Sequence, residues 1–261
     1  MYFCVPTSML KQTQMNIRSF IDSTYLKTAS QAGLGESENQ AVVKTFINEA
    51  IDENFKLIMI RPEMVVVAKQ LILATEANVQ IGTVIDFPEG NSSIEEKLSQ
   101  PNQAIADGAD ELDFVCNYEA FKNGNVNLVK DEILRGTQLA LAHNKVIKWI
   151  IEVAALTDKQ IIQLSALIKN IVITNFKEDD YTAVFVKSST GFFKTINNEP
   201  NGATIATITM MLENASPLPV KAAGGVRNYQ DAVAMIKLGV KRIGTSSAKA
   251  IVNRENNKNE Y

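Results

Sequence analysis

Leu218-Pro219-Val220-Lys221-Ala222-Ala223-Gly224-Gly225-Val226-Arg227-Asn228 holds a strand, a turn and the start of a helix in one short passage. The apolar run Leu218–Lys221 reads as a strand, and the pair Gly224–Gly225 interrupts it. Asn228 is placed to cap the helix-patterned segment Tyr229–Leu238. A second short run, Lys241–Gly244, follows at once. Strand, glycine turn, capped helix and strand make the repeating unit of a parallel sheet with crossover helices.

Working outward, the same alternation runs through the chain. Candidate strands are Ile17–Asp22, Leu57–Ile60, Val79–Ile85, Glu111–Cys116, Val146–Val153 and Ala183–Ser188, ahead of the two just described. Apolar residues fall at helical spacing in Ser37–Ile51, Pro62–Ala74 and Asp158–Ile168. Eight strands alternating with helices predict an α/β fold, a (β/α)8 TIM barrel, and 261 residues suit a barrel that commonly needs roughly 250. No linker or composition shift divides the chain, so one domain over 1–261 is expected. Lys177–Asp180 and Lys194–Pro200 read as surface loops, and 253–261 as a polar, mobile tail.

Composition narrows the function. Hydrophobic residues make up 46% and charged residues 21%, ordinary for a globular chain. Twenty-six basic against 29 acidic residues leave a net charge of −3, which disfavours nucleic acid as a partner while allowing a local phosphate site. No apolar run approaches the ~18 residues of a membrane span, and the N-terminal stretch lacks the pattern of a signal peptide. Two cysteines, Cys4 and Cys116, make no disulfide framework, so a reduced, cytoplasmic chain is expected. His143 is the only histidine. Zinc sites built on several histidines are thereby excluded, and no metal or cofactor is expected. The chemistry falls to lysines and carboxylates.

In a barrel, reacting groups sit at the C-terminal ends of strands. Lys187 closes Ala183-Val184-Phe185-Val186, Lys221 closes its own strand, and Asp113 lies inside Glu111-Leu112-Asp113-Phe114-Val115-Cys116. Period-two alternation puts Ala183, Phe185 and Lys187 on one face. A buried lysine needs a partner or a lowered pKa, and a single one reads first as an ordinary strand-end residue, either ion-paired with a neighbouring carboxylate or snorkelling to water, ahead of a functional amine. Two lysines on adjacent strand ends should repel and push one amine from about 10.4 toward about 7–8, the neutral form that imine chemistry requires. Glycines after strands seven and eight, Gly224–Gly225 and Gly244-Thr245-Ser246-Ser247, stand where barrels often hold phosphate.

These segments resemble deoxyribose-phosphate aldolase, a class I, Schiff-base aldolase family on a (β/α)8 barrel. The resemblance rests on Ile21-Asp22-Ser23-Thr24-Tyr25-Leu26-Lys27, Gly108-Ala109-Asp110-Glu111-Leu112-Asp113, Phe185-Val186-Lys187-Ser188-Ser189-Thr190-Gly191, Lys221-Ala222-Ala223-Gly224-Gly225-Val226-Arg227 and Gly244-Thr245-Ser246-Ser247. Gly82-Thr83-Val84-Ile85-Asp86-Phe87-Pro88-Glu89-Gly90 and Lys148-Trp149-Ile150-Ile151-Glu152 match in kind and order, so nearly the whole chain is covered. The resemblance implies Lys187 as imine-forming nucleophile, Lys221 as the cation that keeps it neutral, and Asp113 as proton-transfer partner. It implies substrate and phosphate contacts at Thr190, Gly191, Gly224, Gly225, Gly244, Ser246 and Ser247, with Asp22, Thr24 and Lys148 lining the same pocket. The implied substrates are a small sugar phosphate, 2-deoxyribose 5-phosphate, and aldehydes; a homodimer is compatible. Tyr261 is a candidate proton relay, because some members of the family end in tyrosine.

The chain departs from the pattern at Ser23, where many relatives have histidine, and in Leu57-Ile58-Met59-Ile60-Arg61-Pro62, which lacks a cysteine common there. Phe192 replaces a phosphate-binding lysine of some relatives, with Lys194 as the nearby substitute. His143 is expected at a surface or helix C-cap, Trp149 in packing, and Cys116 as a buried small hydrophobe. Glu152 reads as a catalytic acid or as a strand-end ion pair with one of the lysines. Two other functions fit the residues: a Schiff-base aldolase for a different aldehyde, and a non-catalytic phosphosugar-binding barrel.

Overall fold

The computed structural model describes residues 15–196 and 199–255; Cys4 and Tyr261 lie outside them. In chain order the elements are β1 Ile21–Thr24, α1 Ala29–Ala32, α2 Glu36–Asp52, β2 Leu57–Ile60, α3 Val65–Leu73, β3 Gln80–Ile85, α4 Ile94–Asp107 and β4 Glu111–Val115. They continue with α5 Tyr118–Lys122, α6 Val126–Ala142, β5 Val146–Ile150, α7 Asp158–Asn175, β6 Val184–Lys187, α8 Ile205–Ala215, β7 Val220–Ala223, α9 Tyr229–Leu238, β8 Arg242–Thr245 and α10 Ala248–Asn253. The eight strands are parallel and close in sequence order, β8 pairing back onto β1. The predicted α/β barrel is the fold.

Strand alternation sorts the side chains into two layers. Ile58, Ile81, Phe114, Trp149, Val186, Ala222 and Ile243 face outward and join the core beneath the helices. Trp149 packs there as expected, its ring 5.1 Å from Phe114 and its Nε1–H donating to Thr137 Oγ1 at 3.0 Å. Inside the barrel, Leu26, Leu57, Met59 and Val84 form a separate apolar cluster on the β1–β3 side. Charged residues fill the other side. Capping sets the helix starts: Asn228 Oδ1 accepts from Asp231 N–H at 2.9 Å, and Thr157 and Gln160 form a reciprocal box at α7.

Several boundaries differ from the sequence reading: β7 is Val220–Ala223 instead of Leu218–Lys221, α7 continues past Ile168 to Asn175, and three others have a local cause. Ile17–Phe20 form a 3-10 turn, so the first strand begins only at Ile21; buried Ile17 packs into the outer core instead of extending the ladder. The fifth strand stops at Ile150, because Glu152 takes a left-handed conformation (φ 54°) that breaks the pleat before the 3-10 turn Val153–Ala155. The supposed loop Lys177–Asp180 leads into a 3-10 turn over Glu178–Ala183, leaving β6 to start at Val184.

A second buried charge cluster joins the strand ends to the helices. Lys97 Nζ, on α4, donates to the carbonyls of Gly90 at 2.9 Å and Val115 at 2.8 Å and to Glu132 Oε2 at 2.7 Å, with Asp86 3.2 Å away. Glu132, on α6, also accepts from Asn117 N–H at 2.6 Å. One ammonium thus ties the turn after β3 to the end of β4. Cys116 is fully buried beside this cluster, and His143 caps the C-terminus of α6, both as expected.

Candidate active site

Six strands send ionisable side chains into the barrel. Register fixes their neighbours: Asp113 stands beside Lys148, Lys187 beside Lys221, Lys221 beside Arg242, and Asp22 beside Gly244. Lys148 Nζ contacts Asp113 Oδ1 and Glu111 Oε2, each at 2.6 Å. Lys221 Nζ lies 2.9 Å from Asp113 Oδ2 and 2.6 Å from Asp22 Oδ2, the second contact being an ion pair outside hydrogen-bond alignment. Arg242 holds Asp22 Oδ1 at 2.6 Å through Nε and Glu111 Oε1 at 2.9 Å through Nη1. Lys187 Nζ meets one carboxylate, donating to Asp113 Oδ2 at 2.8 Å.

Four cations therefore share three carboxylates: Lys148, Lys187, Lys221 and Arg242 against Asp22, Glu111 and Asp113. One positive charge is in excess, and charges buried in a low-dielectric interior cannot lean on water for relief. Lys187 is the cation with one carboxylate contact, on an oxygen shared with Lys221. Its amine falls from 10.5 to about 8, first through burial, with Asp113 opposing and Lys221 adding repulsion. This corrects the expectation that Lys221 is the main cause. Burial also pushes the Asp113 carboxyl up, but Lys148, Lys187 and Lys221 outweigh it and hold that carboxyl well below the usual range. Lys148 moves the opposite way from Lys187: burial lowers it, yet Asp113, Glu111 and Asp22 together raise it.

The ladder opens on a cavity of about 110 Å3 at the C-terminal ends of the strands, and Lys187 reaches it. Thr24, Thr190, Gly191, Gly224, Gly225, Gly244 and Ser246 line it, together with Phe192, Asn201 and Arg227. A Cβ at Gly244 would stand 3.0 Å from Lys221 Cε, so a side chain there would press on the buried lysine. A family model described as "DeoC/LacD family aldolase" matches residues 23–253. The chain belongs to this family. A deoxyribose-phosphate aldolase of Caldicellulosiruptor saccharolyticus is 35% identical over 245 residues, covering 93% of this chain and 100% of the relative. One from Thermococcus gammatolerans is 36% identical, covering 91% and 96%. The solved deoxyribose phosphate aldolase of Aeropyrum pernix superposes with a TM-score of 0.72 at 28% identity, covering 91% of this chain and 89% of that one.

Against the family pattern, the structure separates the sequence-derived residues into two groups. Lys187, Thr24, Thr190, Gly191, Gly224, Gly225, Gly244 and Ser246 meet at the cavity. Asp113, Lys221, Asp22 and Lys148 do not line it; they form the charged layer below, each fully buried. Ser247 is buried too, its N–H donating to Thr245 Oγ1 at 3.0 Å. Lys194 is exposed and away from the cavity, while Phe192 packs edge-on against Phe87, ring centres 5.1 Å apart. Arg227 is the exposed cation on the wall.

Sequence reasoning passed over Glu111 and Arg242. Each sits two residues from a chosen position, Asp113 or Gly244, and strand alternation puts it on the same inward face. Glu152 makes no ion pair among the described residues, contrary to one expectation. It accepts instead from Ser189 Oγ at 2.7 Å, from Thr190 N–H at 3.1 Å and from Thr190 Oγ1. Burial pushes its carboxyl pKa up against those hydrogen bonds and Lys187. Among the described residues, no helix is long and apolar enough to cross a membrane, and no cluster of three or more His, Cys, Asp or Glu is arranged for a metal ion.

Proposed function

We propose that the chain is a class I aldolase that reversibly cleaves 2-deoxy-D-ribose 5-phosphate to D-glyceraldehyde 3-phosphate and acetaldehyde, with Lys187 as the imine-forming amine. Membership of the aldolase family and the deoxyribose-phosphate aldolases among its relatives support the substrate. One observation carries the mechanism: of the four barrel cations, Lys187 has one carboxylate contact and reaches the cavity. An amine near 8 is neutral often enough at physiological pH to act as a nucleophile.

The neutral amine adds to the C1 aldehyde of the open-chain sugar. Asp113, held ionised, takes the proton released from nitrogen, and Lys221 beside it stabilises each carboxylate state as protons pass. Loss of water from the carbinolamine gives an iminium. Removal of the C3 hydroxyl proton then breaks the C2–C3 bond, and the electron pair moves through C2 into the iminium to give an enamine. Glyceraldehyde 3-phosphate leaves, C2 is protonated, and water hydrolyses the imine to acetaldehyde and free Lys187. The phosphate is received at Gly224–Arg227 and Gly244–Ser246, where Arg227 supplies positive charge.

The test is borohydride reduction with acetaldehyde followed by peptide mapping, alongside deoxyribose 5-phosphate cleavage by wild type and Lys187→Ala. A label on Lys187 and loss of cleavage in the variant are expected. Undiminished cleavage by Lys187→Ala refutes the assignment, and turnover of another aldehyde in place of the sugar phosphate refutes the substrate.

A further inference from the structure

The loop after β6 contains a hydrogen-bond arrangement with one hydrogen too few. Ser189 Oγ stands 2.7 Å from Glu152 Oε1 and 2.6 Å from the carbonyl oxygen of Asn201, and it accepts from Gly191 N–H at 2.9 Å. Oxygens that close need a hydrogen between them. The serine hydroxyl has one to give, and the Asn201 carbonyl has none. Two oxygen–oxygen contacts therefore share one serine hydrogen, and the second hydrogen belongs on Glu152 Oε1. The other carboxyl oxygen needs no proton, because Oε2 receives both the N–H and the hydroxyl of Thr190. Thr190 Oγ1 accepts in turn from Phe192 N–H at 3.0 Å.

We propose that Glu152 rests as a neutral carboxylic acid and is the positioning residue of the Ser189–Phe192 wall. The chain of donors runs from Glu152 Oε1–H to Ser189 Oγ and from Ser189 O–H to the Asn201 carbonyl. Two consequences follow for the pocket. The backbone N–H groups of Thr190, Gly191 and Phe192 are all taken by protein acceptors, so this wall supplies shape, and phosphate recognition falls to the β7 and β8 loops. A neutral Glu152 also leaves the four-against-three imbalance of the barrel in place, whereas an ionised one would offset the surplus that favours a neutral Lys187. The groups facing Lys187 remain Asp113 from β4, Lys148 from β5 and Lys221 from β7.

The kinetic test rests on the aldolase reading, and an infrared measurement does not. Cleavage of 2-deoxyribose 5-phosphate is followed across pH for wild type, Glu152→Ala and Glu152→Gln, with borohydride trapping of acetaldehyde in each. Alanine strands the Thr190 donors and is expected to raise KM roughly 10–100-fold while the Lys187 imine still forms. Glutamine mimics the acid, its amide donating to Ser189 and its oxygen accepting from Thr190, so it should recover most of that loss with the acid limb of the profile unmoved. The wild-type infrared spectrum should contain a protonated-carboxyl band that Glu152→Gln lacks. An acid limb displaced to lower pH in the glutamine variant would mean that a negative charge had been removed, overturning the proposal. So would a glutamine KM as poor as that of alanine, an alanine KM equal to wild type, or no difference in the carboxyl band. If Glu152→Ala does not fold, the glutamine pH profile and the infrared band decide. A wild type that neither cleaves the sugar phosphate nor traps an imine refutes the aldolase reading instead, and the band still reports on Glu152.

Discussion

Replacing Lys221 with leucine removes a cation from beside Lys187 without touching the reacting amine. Both lysine Nζ atoms contact the same oxygen, Asp113 Oδ2, at 2.8 and 2.9 Å, so they lie no more than 5.7 Å apart. Two unit charges at that separation repel by about 3 kcal/mol at an effective dielectric of about 20, equivalent to about two pH units on an acid limb. Loss of Lys221 also leaves Asp113 Oδ2 to Lys187 alone, which favours the ammonium further. Asp22 keeps its contact with Arg242, so the variant does not leave that carboxylate without a cation. The sign is therefore upward from a midpoint near 8. The rate at pH 7 should fall by about 100-fold and recover as pH is raised toward 10. The assay is the pH dependence of kcat/KM for deoxyribose 5-phosphate cleavage, with acetaldehyde trapping measured at the same pH values. An acid limb unchanged from wild type would refute the electrostatic role.

Three further outcomes are expected. Lys187→Arg should fold and lose turnover, because a guanidinium stays protonated and forms no imine; cleavage at the wild-type rate would exclude Lys187 as nucleophile. Lys187→Met should be more stable than wild type at pH 7 by up to about 3 kcal/mol, because the folded amine titrates near 8 against an ordinary 10.5. The ammonium's destabilising effect is complete below pH 8 and disappears as pH rises from there to 10.5, so denaturant titrations should show the advantage shrinking over that range; an advantage that grows with pH contradicts this. Lys97→Met should cost about 3–5 kcal/mol in chemical denaturation, since it leaves Glu132 buried without its cation and two carbonyls without a donor; a loss below about 1 kcal/mol would mean that the cluster relaxes around the gap.

Some of this site was legible in strand phase. Lys187 and Lys221 interrupt apolar runs at positions where alternation turns them inward, and Asp113 does the same within β4. Glu111 and Arg242 obey the same rule and could have been found by extending it two residues along their strands. Glu152 stood out at its strand end, but its role could not be read there, because that role depends on a left-handed backbone turn and on contacts with Ser189, Thr190 and, through Ser189, Asn201. Lys97 was equally hidden: on a polar helix it reads as a solvated charge, and only packing brings Gly90, Val115 and Glu132 around it.

By itself the sequence determined the barrel and the inward direction of its lysines. Both follow from local properties, the two-residue period of a strand and the turn chemistry of Gly224–Gly225 and Asn228. Only the tertiary structure decided which lysine would be short of negative charge. Closing β8 onto β1 brings Arg242 to Asp22 across 220 residues of chain, and Asp113 meets Lys187 and Lys221 across 74 and 108. The protonation of an amine depends on the distance to every charge around it, and those distances exist only once the ring of strands is closed.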